Sequence, residues 1–386
     1  MVAHDGTSSQ AQALSATTEE RVAVASNWTL VWWRFRRHYI ALFSAFVLAG
    51  LYLVVLCPDF FSTQNPELTD ARQAFIPVQP LHFFDGARFS PWVPGIAGKR
   101  NPVTLRMEWT RDPNRKIPVQ FFAQSAPYRI LGVFETNVHL LGPADPGQRI
   151  FLLGSDRLGR DQWSRIMHGT QTSMTVGLVA VGLSVVLGVA LGGISGYFGG
   201  WVDTLIMRST ELLLSIPGLY LIVALRGVFP LELPSQQTYL AIVAILSFIG
   251  WATLARVIRG MVLSIRQAEF VLAAEAMGAS SLRIIVRHVL PNTMSFTIVA
   301  ATVAVPGYIL GEVFLSFLGV GVQPPAASWG NMLNAARSER VLTSFPWMLL
   351  APGVAIFLTV MAFNFFGDGL RDALDPRKTP AAGGRS

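Results

Sequence analysis

Two ionisable side chains of this sequence lie in or beside segments that are otherwise apolar. They are Glu312 and Arg226, and a charge within hydrocarbon costs at least about 2.5 kcal/mol and usually faces a cavity or a partner. Glu312 could therefore bind an amine of a solute or pair with an arginine of a neighbouring helix. A satisfied contact between helices accounts for Glu312 equally well, and Arg226 could extend its guanidinium to the membrane surface. Both are candidate residues of a translocation path.

The residue types and their spacing give little support for catalysis or for metal or nucleotide binding. The 6 histidines are scattered, and no grouping of Ser, His and Asp can be recognised. The single cysteine, Cys57, cannot form an intrachain disulfide and has no Cys or His at metal-ligand spacing. No G-x-x-x-x-G-K-[ST] sequence occurs, so the chain encodes no P-loop for phosphates. We therefore predict no catalytic residue, no metal and no cofactor bound by this chain.

A segment rich in glycine and aspartate, LGSDRLGRD, begins at Leu153. Its glycines suit tight backbone dihedrals, and Asp161 can cap the start of a following helix. A calcium loop would need more acidic residues and a closing bidentate glutamate, so the metal interpretation fails. We predict a structural turn that feeds a helix. Its defining residues are Gly154, Asp156, Gly159, Arg160 and Asp161.

The composition of the chain predicts a lipid environment. Of 386 residues, 52% are apolar and only 14% are charged, and the mean hydropathy is +0.45, which lies outside the soluble globular range. The net charge of +7 could indicate nucleic acid, but the basic residues do not gather on one domain and no recognition motif accompanies them. We expect membrane lipid and no nucleic acid as a partner.

Six stretches can cross a hydrocarbon layer of about 30 Å, which takes roughly 20 helical residues. The third is short, needs charged flanks to complete it, and contains Pro217 as a predicted kink. The six stretches are 39–57, 172–198, 212–225, 238–255, 292–318 and 341–366.

Basic residues set the predicted orientation of these spans, because Lys and Arg near span ends favour the cytoplasm. Arg34, Arg36 and Arg37 precede the first span, which places the N-terminal segment inside. Six crossings then place the segment between spans four and five, and the C-terminal tail with Arg377 and Lys378, inside as well. We expect a multi-pass protein of the cytoplasmic membrane with both termini in the cytoplasm.

An interfacial helix is predicted just before the first span, where Trp28, Trp32 and Trp33 alternate with the arginines. Such rings lie at the level of the lipid headgroups. The predicted organisation thus has five parts. They are a tail with the interfacial helix (1–38), the first span (39–57), an extracytoplasmic insert with a pre-span helix (58–171), a transmembrane core (172–366) and a cytoplasmic tail (367–386).

The insert at 58–171 holds 12 of the 23 prolines, which excludes a further span. Apolar residues alternate with polar ones from Val103 to Trp109, as in a half-buried strand, and RDPNRK is expected to turn the chain toward 119–122. We predict a small insert that contains β-structure. A loop without a ligand role and a role in receiving substrate or a partner both remain open.

The segment LAAEAMGASSLRIIVRHVLPN at 272–292 predicts two short helices. Small side chains allow another backbone to approach, and Gly278 permits a sharp bend at positive φ. Ser280 or Ser281 can cap the second helix, and Pro291 is expected to end it before the next span. Such a helix could lie along the membrane face and insert into a partner's groove. An ordinary amphipathic connector is the alternative.

At these residues the sequence resembles the EAA loop of binding-protein-dependent ABC importer permeases. That motif is Glu-Ala-Ala, three residues, Gly, nine residues, then a position before x-Leu-Pro, and here Leu272 stands in place of the acidic residue. The resemblance implies that the loop at 259–291 docks a separate ATPase. The implied docking residues are Ala273, Ala274, Glu275, Met277, Gly278, Leu290 and Pro291.

Three further stretches resemble the C-type permease of oligopeptide and dipeptide importers. They are LGSDRLGRDQWSR from Leu153, FLSFLGVGVQPPAASWG from Phe314 and FNFFGDGLRDALDPR from Phe363. The resemblance covers nearly everything from Leu153 to the end. It implies an all-α polytopic fold, the six-helix type I ABC importer permease fold, with the β-containing insert between spans one and two.

The function implied by the resemblance is that of a permease subunit that forms half of a pathway for peptides or similar small solutes. Its implied partners are a second homologous permease, two ATPase subunits that use ATP and Mg, and an extracytoplasmic substrate-binding protein. Nickel, glutathione or oligosaccharide could replace peptide as the solute. An ion-coupled secondary transporter is the alternative from another class, although we find one plausible intramembrane carboxylate and no evident inverted repeat.

Overall fold

The computed structural model describes residues 27–103, 107–130, 132–230 and 232–375. Helices α1 to α3 and a four-stranded sheet precede ten further helices. The first group comprises α1 (Asn27–Phe35), α2 (Tyr39–Leu56), α3 (Pro58–Phe61), β1 (His82–Asp85), β2 (Arg88–Arg100), β3 (Met107–Ile130) and β4 (Phe134–Pro143). The second comprises α4 (Gln162–Phe198), α5 (Gly200–Ser215), α6 (Gly218–Arg226), α7 (Ser235–Ile265), α8 (Glu269–Ala276), α9 (Ser281–Ile284), α10 (Met294–Phe317), α11 (Trp329–Ala336), α12 (Glu339–Ser344) and α13 (Trp347–Leu374).

Within the described residues, five helical runs are long and apolar enough to cross a membrane. They are α2, α4, α7, the run Ser281–Phe317 and α13. Helices α5 and α6 form a sixth candidate, because together they pass the same test although their axes differ by 94°. The predicted spans one, two, four and five are therefore present, with ends that differ by several residues. A helix, α1, is present where the sequence predicts an interfacial helix.

The predicted third span is present as the broken pair α5 and α6, and the predicted kink at Pro217 is a complete break between two helices. Pro217 stands at the break and lacks the N–H that a continuing helix needs. Together, α5 and α6 nevertheless run between the two opposite ends of the long helices. Asp203 of α5 bonds Arg259 near the end of α7 that leads to α8, whereas Arg226 of α6 bonds Val320 beyond the far end of α10. We call these the loop end and the sheet end.

Two other predicted boundaries are wrong. Val341 does not begin the sixth span, because it lies in α12, and Phe345 and Pro346 separate it from α13. Pro291 does not end a helix before the fifth span. A π-helical turn (Ile285–Val289) and a 3-10 turn (Leu290–Thr293) absorb the proline, so that α9 continues into α10. Residues 1–26 and 376–386 lie outside the described residues, and they include most of the predicted N-terminal tail and part of the predicted C-terminal tail.

Close packing of α4 against α7 is built on a row of glycines. Gly188, Gly192 and Gly196 recur every four residues and so share one face of α4. A Cβ atom on Gly192 would lie 2.5 Å from the carbonyl oxygen of Ala255, and one on Gly196 would lie 2.7 Å from that of Arg259. Hydrogen in place of a side chain therefore lets the two backbones approach, as in small-residue interfaces of membrane helices.

The core on the other side of α4 joins it to α2, α10, α11 and α13. The buried residues of this cluster include Met174, Ile309, Trp329 and Phe363. A second cluster at the loop end packs α8 and the turn after α9 against α7, through residues such as Val271 and Ile258. Helix α4 thus contacts both the first buried cluster and the elements at the loop end.

The insert contains an antiparallel sheet in the order β1-β2-β3-β4, which confirms the predicted β-structure. The expected turn at RDPNRK is wrong, because these residues lie inside β3. Pro94 pairs with Lys116 and Gly95 with Asp112, so the segment forms a bulge that absorbs its proline instead of reversing the chain. Val103 is exposed in the turn before β3, and residues 104–106 lie outside the described ranges.

Replacement of Gly192 by alanine tests the glycine row. We expect a loss of about 1–3 kcal/mol, because the added methyl group would press on the backbone of α7. The matched control is Gly182→Ala on the same helix, where a Cβ atom meets nothing within 4 Å and removal of glycine should stabilise by about 0.5–1 kcal/mol. Thermal unfolding of the purified chain in nanodiscs measures both. Equal effects of the two variants would contradict the proposed packing.

Candidate functional site

The short helix α8 lies at the loop end with one face buried and one exposed. Its Ala274 packs in the cluster with Val271 and Ile284, whereas Ala273 and Glu275 are exposed. Gly278 ends the element with φ of +79°, a left-handed backbone conformation that favours glycine. The predicted docking residues are thus brought together, except that Ala274 faces inward and holds the helix in place.

The exposed side of this loop carries large apolar side chains among the charged Glu275, Arg283 and Arg287. Leu272 and Leu282 are exposed, and Met277 is 82% exposed. Exposed apolar side chains that are grouped in this way mark sites of interaction. The acidic residue expected at position 272 from the resemblance would make this surface polar, so leucine makes the face more hydrophobic.

Leu290 connects the loop to α4. A Cβ atom on Gly193 would lie 3.0 Å from Cδ2 of Leu290, so the leucine side chain packs directly on the helix at a glycine. Pro291 is exposed beside it. The two residues of the predicted Leu-Pro pair therefore have different roles, since the leucine fills a gap on α4 while the proline shapes the turn into α10.

The LGSDRLGRD segment forms a buried turn at the sheet end, as the sequence predicts. Asp156 and Arg160 form an ion pair of 2.6 Å in which both side chains are almost fully buried. Asp161 caps α4 by accepting a hydrogen bond of 2.8 Å from the Ser164 backbone N–H. Gly159 has φ of +73°, and a Cβ atom there would overlap the Asp70 carbonyl. Asp156, Arg160 and Oδ2 of Asp161 thus bond within the protein, which supports the structural interpretation of this turn.

Glu312 is fully buried at the centre of a hydrogen-bond network. The hydroxyl groups of Ser173 on α4 and Ser316 on α10 each donate to its carboxylate at 2.7 Å. These hydroxyls in turn accept backbone N–H bonds from Trp329 and Val322. Glu312 therefore fixes the chain after α10 against α4, and the structural interpretation of this residue is favoured.

Arg226 is also buried and bonded to backbone oxygens. Its Nε donates to the carbonyl of Val320 at 2.6 Å, and Nη1 donates to those of Phe229 and Pro230. The guanidinium therefore satisfies carbonyl groups at the ends of α6 and α10. It does not extend to the membrane surface.

A cavity of about 370 Å³ lies between α4, α6, α7 and α10. Neither Glu312 nor Arg226 lines it, and its described lining contains no charged side chain. The polar groups are Ser184, Thr253 and Tyr308. The lining consists of Val181, Ser184, Val185, Ile222, Leu246, Ile249, Gly250, Thr253, Leu254, Val257, Phe296, Ala300, Ala301, Ala304, Gly307 and Tyr308. Such a cavity suits an uncharged or weakly polar group.

Sequence reasoning missed this cavity because its lining has the same residue types as a lipid-facing surface. The position of Tyr308 depends on Gly250, since a Cβ atom on Gly250 would overlap the tyrosine hydroxyl. A glycine within an apolar helix was the one available signal, and glycine is common in membrane helices for other reasons.

Two polar clusters at opposite ends of the core were also missed. At the loop end, Arg259 donates two hydrogen bonds, of 2.6 and 2.5 Å, to the carboxylate of Asp203. At the sheet end, His168 contacts the Asp59 carboxylate at 3.2 Å, and this hydrogen bond holds the pKa of Asp59 below its usual range. Both pairs join elements distant in sequence, so spacing alone could not reveal them.

The sequence matches two family models. The model described as "Binding-protein-dependent transport system inner membrane component" matches residues 188–380. The model described as "N-terminal TM domain of oligopeptide transport permease C" matches residues 26–78. The first match contains α7, the loop around α8 and the cavity residues contributed by α6, α7 and α10, and the second contains α1 to α3.

Curated relatives agree with these matches. The dipeptide transport system permease protein DppC of Bacillus subtilis is 43% identical over 224 residues, which are 58% of this chain and 68% of that protein. The oligopeptide transport system permease protein OppC of the same organism is 38% identical over 242 residues, 63% of this chain and 77% of that protein. The glutathione transport system permease protein GsiD of Pectobacterium atrosepticum is 38% identical over 262 residues, 68% of this chain and 83% of that protein.

Substitution of Gly250 by alanine should disturb Tyr308 and the cavity. We expect a loss of about 1–3 kcal/mol from overpacking, measured as thermal unfolding in nanodiscs. The Tyr308→Phe change should recover part of that loss in the double variant, because it removes the overlapping hydroxyl. Gly260→Ala on α7 is the control, since a Cβ atom there meets nothing within 4 Å. An unchanged loss in the double variant would count against this geometry.

Two variants of Glu312 separate a structural role from solute binding. Glu312→Ala should destabilise the chain by about 1–3 kcal/mol, because buried hydroxyls lose their acceptor. Glu312→Gln keeps an acceptor oxygen and should retain most of the stability. Thermal unfolding and solute uptake are measured for both. A Gln variant that is fully stable yet inactive in uptake would overturn the structural interpretation.

Proposed function

Because this chain belongs to the family of binding-protein-dependent transport system inner membrane components, we propose that it forms half of a translocation pathway for peptides or similar small solutes. The chain is a permease subunit of an ATP-binding-cassette importer of the oligopeptide and dipeptide type, with the type I permease fold. It is a multi-pass protein of the inner membrane.

Peptide is the solute class that the relatives support. The compared permeases are named for oligopeptide, dipeptide and glutathione transport, and glutathione is itself a small peptide. The cavity beside Tyr308 has hydroxyl groups and apolar walls but no described charged lining residue, which suits a pathway that holds its cargo weakly. Nickel and oligosaccharide have no specific observation in their favour.

The observation that carries the proposed mechanism is the group of exposed apolar side chains on and beside α8, namely Leu272, Met277 and Leu282. A partner ATPase that receives Met277 and Leu272 in a groove would bury this surface. Movement of the loop would then reach α4 through the contact of Leu290 with Gly193. The ATP and Mg belong to that partner, since the chain has no P-loop sequence. Alternating access follows as a shift between two packings of the same helices.

The complete transporter in this proposal contains a second homologous permease, two ATPase subunits and an extracytoplasmic substrate-binding protein. Both termini of this chain lie in the cytoplasm. The orientation is supported by Arg34, which donates to the backbone oxygens of Ala373 and Asp375, so both ends of the described chain meet on one side. The basic residues of α1 and of the loop lie on that same side.

Met277→Glu tests the docking surface. Because Met277 is 82% exposed, the change should leave folding intact while it places a charge in an apolar interface. We expect a loss of ATPase copurification and of ATP-dependent peptide uptake, each by about tenfold or more, as a penalty above 1.4 kcal/mol implies. The matched control is Leu68→Glu, an exposed apolar position in the insert, which should retain both activities.

Retention of ATPase binding by Met277→Glu would contradict the assigned surface. Uptake by the isolated chain that follows an ion gradient, without any ATPase, would instead favour a secondary transporter.

A further inference from the structure

The insert exposes a connected group of phenylalanine rings, which we call the aromatic row. Phe84 and Phe89 are cross-strand partners with ring centroids 5.7 Å apart, and Phe89 stacks on Phe121 at 6.5 Å. All three rings are exposed, as is the neighbouring Phe122 at 63%. Isolated apolar residues on a surface need no explanation, but a contiguous patch marks an interaction site.

Phe122, which follows Phe121 of the aromatic row in sequence, lies beside the outer end of the first span. The Phe122 ring lies 6.4 Å from that of Phe60, and Phe60 belongs to α3, which follows Leu56, the last residue of α2. Leu53 and Leu56 are both exposed on α2. Phe122 therefore lies near the level at which this span leaves the hydrocarbon layer, and the exposed apolar surface of α2 continues onto the sheet.

The turn between β3 and β4 gives a second, independent indication. Val133 and Phe134 in this hairpin are 73% and 71% exposed. A cavity of about 440 Å³ is lined by Ile130 and Gly132 of the hairpin together with Val55 and Leu56 of α2. The hairpin tip thus also lies at the outer end of the first span, where water gives way to lipid.

We propose that the insert binds the surface of the lipid bilayer through the aromatic row and the hairpin tip. Amphipathic and aromatic side chains favour the layer between headgroups and acyl chains. Lipid accounts for both groups of exposed residues at once, because each adjoins the lipid-facing end of α2. The sheet is then held at a fixed height beside the membrane. This inference needs only membrane insertion of the chain, and it does not depend on the solute or on an ATPase.

A site-specific fluorophore tests the depth of the hairpin. Cys57 is the only cysteine, so a Cys57→Ser chain with Val133→Cys can be labelled at one place with NBD. The full chain is placed in nanodiscs of phosphatidylcholine that carry doxyl groups on the acyl chain near the headgroup. We expect blue-shifted emission and several-fold stronger quenching by doxyl lipid than by aqueous iodide.

The matched control is Lys99→Cys in β2 of the same sheet, an exposed charged position, where iodide should quench more strongly than doxyl lipid. Phe134→Cys provides a second site in the hairpin and should behave like Val133→Cys. A hairpin label quenched by iodide to the level of the Lys99 control would overturn the proposal. If the substrate-binding protein then shielded that label, the surface would bind protein and not lipid.

Discussion

The close approach of α4 and α7 through glycine is the contact on which the rest of this fold depends. Lipid tails are as apolar as leucine, so burial from water cannot hold two membrane helices together and packing must do so. Gly192 and Gly196 let the α7 backbone approach to where a methyl group would collide with carbonyl oxygens. The two helices form one wall of the cavity, and α7 leads into the loop around α8.

Buried charges complete this framework without forming a binding site. Asp156 with Arg160, and Glu312 with its two serines, each satisfy a polar group inside the protein, and Asp203 with Arg259 does so at a half-buried position. A charge left unpaired in such surroundings would be costly. The pair Asp203–Arg259 and the bond from Ser173 to Glu312 therefore link neighbouring helices, while the cavity between α4, α6, α7 and α10 is lined by hydroxyl and apolar groups.

Much of this structure could be predicted from the sequence, because uncharged runs of sufficient length have few alternatives in lipid. The helices around 39–57 and 238–255 and the bend at Gly278 follow from local chemistry. The break at Pro217, the continuous path through Pro291 and the bulge at RDPNRK could not be predicted in the same way. A proline can end, bend or be absorbed by an element, and tertiary contacts decide among these outcomes. The cavity was hidden for a similar reason, since Tyr308 is placed by a distant glycine.

Two consecutive residues of α4 contact different neighbours, and this has a thermodynamic consequence. Gly192 meets the α7 backbone, and Gly193 meets Leu290, which lies between α9 and α10. In the proposed transporter, helix α4 therefore connects the cargo cavity, which Val185 lines, with the partner ATPase, which would act through Leu290 on Gly193. Binding equilibria that share such an element are reciprocal. If bound cargo raises the affinity of the permease for its ATPase by some factor, then bound ATPase raises the affinity of the permease for cargo by the same factor.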